Sequence, residues 1–128
     1  MKPAIYTCIT CRYSAAEREG GDGRTGGETL SALITEAALM LPRRDSFALK
    51  TTKCFMGCER HCNVHLRAPG KFGYVIGALP PTVESAAAVV DYFARYMASA
   101  DGRVPMREWP QALRGHFTAR VPPWEEAG

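Results

Sequence analysis

The stretch FALKTTKCFMGCERHCNVHLR, residues 47–67, sets a strand-like run, three cysteines and an alternating run in direct succession. Phe47 to Lys53 reads as a strand that delivers Cys54 at its end. Asn63 to Arg67 alternates, with Val64 and Leu66 on one face and His65 and Arg67 on the other, as a half-buried strand does. Between them Cys54, Cys58 and Cys62 repeat a C-x-x-x-C step. The remaining pair, Cys8 and Cys11, forms a C-x-x-C just after the apolar run Ala4-Ile5-Tyr6, and 42 residues separate the two groups. Thiolates grouped in this way, with a long gap between groups, are how chains hold a soft metal or an iron–sulfur cluster.

Working outward, residues 3–9 read as a short buried strand, and 12–27 as an exposed, glycine-rich loop. Leu30, Leu33, Ile34, Ala37, Ala38 and Leu41 form one helical stripe that Pro42 closes. After the strand ending at Arg67, Pro69-Gly70-Lys71 is a hairpin turn into a fourth strand, 72–79, with Phe72, Tyr74 and Ile76 on one side. Thr82 is the expected N-cap of a second helix, buried along Val83, Ala86, Val90, Phe93, Ala94 and Met97 and ended by Asp101-Gly102. The proline-rich remainder reads as an extended arm with at most one short helix around Gln111 to Phe117. The expectation is an α+β domain, residues 1–100, with helices on a four-stranded mixed sheet, followed by an arm over 101–128.

At 128 residues and 46% hydrophobic, the chain is long enough for one ordinary core. Met1-Lys2-Pro3 leads straight into the first strand, which reads as no signal peptide, and no apolar run nears the roughly 20 residues of a membrane span. The expected setting is the cytoplasm, where structural disulfides are rare; the odd cysteine count also argues against a disulfide framework. A net charge of +3 is too small to indicate nucleic acid. Positive charge does gather at Arg43, Arg44, Lys50, Lys53, Arg60, Arg67 and Lys71 around the second cysteine group, opposed only by Asp45 and Glu59. That excess either favours reduction of a negatively charged cluster and greets an acidic partner, or only keeps the surface soluble. No nucleotide-binding loop or serine triad is present.

The element order and Cys54-Phe55-Met56-Gly57-Cys58, with the later Gly70-Lys71-Phe72-Gly73-Tyr74-Val75, resemble the thioredoxin-like 2Fe–2S ferredoxins, a βαββα family. Two features depart from that family: its first two cysteines stand further apart than Cys8 and Cys11, and it has no ligand at the place of Cys62. The whole chain, with Asp101-Gly102-Arg103 and Trp109-Pro110, is similar to a small bacterial family of metal-binding proteins that often accompanies cobalamin-biosynthesis enzymes. The resemblance implies a thioredoxin-like βαβββα fold and an electron carrier or metal-handling accessory for corrin synthesis, with no substrate pocket of its own. A redox partner protein, with an enzyme of corrin synthesis as the candidate the resemblance implies, is then expected; nucleic acid and membrane are not, and a homodimer is compatible.

A 2Fe–2S cluster takes four thiolates, two on each iron. Cys8 with Cys11 and Cys54 with Cys58 are the expected pairs; the main rival sets exchange Cys62 for Cys11 or Cys58. Zinc or cobalt on the same thiolates is the alternative, for which His61, His65 and His116 are further nitrogen donors, although His65 reads as a solvent-facing strand residue. A thiol–disulfide protein using Cys8 and Cys11 is the third reading, weakened because the helix begins many residues after Cys11. Tyr6, Phe72, Tyr74 and Trp109 read as core or arm-packing residues that can also shield a cluster from water. In the arm, Arg103, Arg107, Arg114 and Arg120 are offset by Asp101, Glu108, Glu125 and Glu126, as either a solvated surface or a docking arm for the redox partner.

Overall fold

A computed structural model describes residues 2–9, 23–42, 44–52 and 63–123. Five strands, β1 (Ala4–Cys8), β2 (Ala48–Thr52), β3 (Val64–Arg67), β4 (Gly73–Ile76) and β5 (Phe117–Val121), form one sheet in the order β2-β1-β3-β4-β5. The β1–β2 pair is parallel and the rest are antiparallel. Helices α1 (Gly26–Ala38) and α2 (Val83–Ala98) pack on each other and share one core with the sheet. The α+β reading holds, and the sheet gains a strand over the four expected.

Register shows which side chains meet the helices. Ile5 pairs with Leu66 and Leu66 with Tyr74, so these three, with Val64 and Ile76, share the buried face. Phe47 and Phe93 meet edge to face, 5.6 Å between centroids, within the same core. Burying a side chain of this size stabilises by about 2–3 kcal/mol.

The fifth strand is a correction to the sequence reading. Residues 106–108 and 111–113 make 3-10 turns, and Phe117–Val121 then pairs with β4 where a short helix and an extended arm were expected. Along β5 only Phe117 is even partly buried, so no alternation of apolar and polar residues betrays it. Strand β4 is also shorter than the expected 72–79: Ala78 takes a left-handed φ of 57°, which ends extended pairing. There Gly77 N donates to His116 O (2.8 Å) and His116 Nδ1 donates to Gly77 O (3.0 Å).

Helix α2 starts as expected, with Ser85 N donating to Thr82 Oγ1. Its buried surface is wider than one stripe. Val83 is 64% exposed, whereas Tyr92 and Tyr96 are fully buried. Both rings pack edge-on against Tyr74, and the Tyr96 hydroxyl donates to Phe72 O, which satisfies its polar tip inside the core. Lys71 Nζ donates to the Met97 and Tyr96 carbonyls at the end of α2, where a cation suits the helix dipole.

Candidate metal centre

Helix α1 begins earlier than the glycine-rich loop suggested, and its start decides the geometry around Cys8. Glu28 N donates to Thr25 Oγ1 while Thr25 N donates to Glu28 Oε1, a reciprocal capping box. Gly26 and Gly27, expected in the loop, are the buried first turn. A Cβ on Gly27 would stand 1.8 Å from the Cys8 carbonyl oxygen, so only glycine permits this approach. Thr25 Oγ1 also donates to Ile9 O. The amino end of α1 is therefore seated directly on Cys8 and Ile9. The T-x-x-E pattern at Thr25 and Glu28 was the signal in the sequence that could have found it.

Cys8 closes β1 and is buried, at 3% exposure. It faces Thr52 across the parallel pair, its N–H donates to Asn63 O (3.1 Å), and Ile9 N donates to Thr52 O (2.9 Å). Thr52 and Asn63 are the last and first described residues on either side of the segment that carries Cys54, Cys58 and Cys62. Ile9 is the last described residue before Cys11. The entries to both cysteine groups thus meet at one end of the sheet, beside the start of α1. Cys11, Cys54, Cys58, Cys62 and His61 themselves lie outside the described residues.

Around that end, electrostatics follow from the helix. The helix dipole puts partial positive charge at its amino end, beside Cys8 and Ile9, which favours a thiolate there, while the Glu28 carboxylate of the capping box offsets part of it. The third reading is weakened by the separation of Cys11 from the helix along the chain, and in space the start of α1 is against Ile9, the last described residue before Cys11. Burial works the other way, because an uncompensated thiolate inside the protein is costly and a covered thiol is a poor nucleophile. Of the basic group, Lys50 and Arg67 are exposed, while Lys71 is spent on the carboxyl end of α2. Arg43, Lys53 and Arg60 lie outside the described residues.

The histidines separate. His65 is not solvent-facing: it is half-buried, its ring 6.2 Å from that of Tyr6. Burial, and secondarily the Arg67 charge, hold it below the ordinary 6.5. His116 is engaged with Gly77. Among the described residues no three or more metal-ligating side chains come together. Nor is any described helix long and apolar enough to cross a membrane. Tyr74 is buried among Tyr92, Tyr96 and Phe117, Trp109 stands 4.5 Å from Phe117, and Tyr6 and Phe72 are partly buried.

Comparison with known proteins gives a fold and a family. A thioredoxin-like [2Fe-2S] ferredoxin from Aquifex aeolicus superposes with a TM-score of 0.59 over 95% of this chain and 94% of its own, at 14% sequence identity. At that identity the likeness is one of fold. No curated protein matches the chain. A family model described as a protein of unknown function (DUF1636) matches residues 5–123.

Proposed function

The chain belongs to the DUF1636 family, whose description carries no activity, and from its cysteines and fold we propose that it is a one-electron carrier holding a single 2Fe–2S cluster. Cys8, Cys11, Cys54 and Cys58 would hold the cluster, with Cys62 as the exchangeable alternative. The supporting observation is the meeting of Cys8–Ile9, Thr52 and Asn63 at one sheet end. Cys11 follows Ile9 by two residues, Cys54 follows Thr52 by two, and Cys62 precedes Asn63 by one. A chain covers at most about 3.6 Å per residue, and such short tethers favour one shared centre.

The residues present fit that group. The donors are soft thiolates, the described one is buried, and the amino end of α1 offers compensation for negative charge. When bound, the cluster supplies a reversible one-electron couple. The chain's own part is to bury Cys8, to hold the Cys8 backbone through Asn63 and the Ile9 backbone through Thr25, and to keep water from the thiolates. Exposed Lys50, opposite Tyr6, suits an acidic redox partner, whereas exposed Arg67 pairs with Ala4 at the far end of β1 from Cys8. An enzyme of corrin synthesis is the first partner to pair with it, on the strength of the resemblance alone.

One observation favours a second reading, a thiol–disulfide protein using Cys8 and Cys11: the start of α1 on Ile9 would lower a nearby thiol pKa. The burial of Cys8 counts against it. Zinc or cobalt on the same thiolates is the remaining alternative. Protein purified without oxygen separates all three by visible and EPR spectra before and after dithionite, with iron, sulfide and zinc assayed. The carrier reading expects visible absorption that bleaches and a low-temperature signal in the reduced form. Colour should be lost in Cys54→Ser and Cys58→Ser and largely kept in Cys62→Ser. Colourless, zinc-loaded protein would replace it with metal binding, and metal-free protein with disulfide reductase activity lost in Cys11→Ser would replace it with the thiol reading.

A further inference from the structure

A carrier of this kind is expected to have no pocket of its own, yet a cavity of about 720 Å³ lies between β5 and residues 101–109. It is on the opposite edge strand from β2; β1 and β5 are three strand spacings apart, about 14 Å. The cavity therefore stands away from the sheet end that bears Cys8.

Its walls are aromatic and its charge is positive. Tyr74, Trp109 and Phe117 line it, with Phe117 4.5 Å from Trp109 and 5.8 Å from Tyr74 between ring centroids. The Trp109 indole N–H donates to Val104 O (2.9 Å), which holds the ring in place beside Phe117. Two guanidiniums, those of Arg103 and Arg120, also line the cavity, and both lie over the Phe72 ring at 5.8 and 5.0 Å. Arg103 is paired with Asp101, Nε to Oδ2 at 2.7 Å. Arg120 has no ion-pair partner among the described residues. Two like charges held on one ring with a single carboxylate beside them leave a net positive site. A guanidinium fork matches a carboxylate better than any other small anion of planar shape. A cavity of this volume, walled by aromatic side chains with a few convergent polar groups, has the anatomy of a small-molecule site.

We propose that this cavity binds a small aromatic carboxylate, its flat body against Trp109 and Phe117, which Tyr74 backs from inside, and its anionic group on Arg120 and Arg103. The site lies three strands from Cys8, and its argument uses no cysteine, so the proposal stands whichever group the thiols hold.

The test is calorimetric titration of the full chain with 2-naphthoate and, separately, with the uncharged 2-naphthalenemethanol. A probe of this size should bind in about the millimolar range. The expected result is saturable 1:1 binding of 2-naphthoate, at least about tenfold tighter than the alcohol, and weakened about fivefold or more in both Arg120→Gln and Arg103→Gln. Arg120 and Arg103 are exposed, so both variants should keep the wild-type circular dichroism and melting point. Absence of saturable binding would overturn the proposal. So would equal affinity for acid and alcohol, which marks a merely greasy groove, or 2-naphthoate binding unchanged in the two glutamine variants.

Discussion

At the scale of single residues, Gly27 does the most for the site and is the least conspicuous in the sequence. Its missing side chain lets α1 sit on the Cys8 carbonyl, and any Cβ there meets backbone, which cannot swing aside. Gly27→Ala should therefore cost about 2–3 kcal/mol in urea unfolding and reduce the metal or cluster content of purified protein. Gly23→Ala is the contrast: nothing lies within 4 Å of its added Cβ, and only the left-handed φ of 81° is strained, at about 1 kcal/mol. Equal costs for the two would refute the close approach. His65 gives a pH prediction. Its folded pKa lies below 6.5, through burial first and Arg67 second. As pH falls through 6.5 the unfolded chain takes up a proton that the folded ring still refuses, so stability that is whole above pH 6.5 is lost down to the folded pKa. NMR titration of the ring should give a midpoint below 6.5, and Arg67→Gln should raise it only in part, since burial is the larger cause. A midpoint at or above the ordinary value would contradict this packing.

At the scale of elements, the amino end of α1 is the piece most exposed to failure. Thr25 closes the capping box and also holds Ile9 O, so one side chain serves both the helix and the strand end that leads to Cys11. Thr25→Ala should lower stability by about 1–2 kcal/mol. Hydrogen exchange should show the loss concentrated in the first turn of α1 and in Ile9, while α2, whose cap is Thr82, stays protected. Uniform loss across both helices would show that the contact has no local role. The expected helix stripe survives as Leu30, Ile34 and Ala38, all buried, because those spacings alone decide which face a helix hides. Gly26 and Gly27 read as loop because glycine disfavours helix interiors; the capping-box pair Thr25 and Glu28 around them was the counter-signal, and it is the contact with β1 that outweighs the propensity.

At the scale of the molecule, β5 ties the chain's last described stretch back to the sheet, and Phe117 is its anchor. It packs on Trp109, Tyr92 and Tyr74 at centroid distances of 4.5, 5.1 and 5.8 Å. Phe117→Ala should cost about 2–3 kcal/mol in a single cooperative urea transition, whereas Val121→Ala, at a site 41% exposed, should cost under about 1 kcal/mol. A separate early transition in Phe117→Ala would mean that residues 101–123 unfold independently of the rest. Much of the fold was legible: β1 to β4, the hairpin turn and the start of α2 came from alternation, helical spacing and the Thr82 cap, which depend on neighbours in the chain. The kind and spacing of the thiols at Cys8, Cys11, Cys54, Cys58 and Cys62 are likewise properties of the sequence by itself, because they are covalent. Only the tertiary structure decided that the start of α1 rests on Cys8 and Ile9, that residues 117–121 form an edge strand, and that Arg103 and Arg120 share a cavity with Trp109. Each of these joins residues well apart along the chain, and local periodicity carries no record of contacts that close only when the sheet and helices pack.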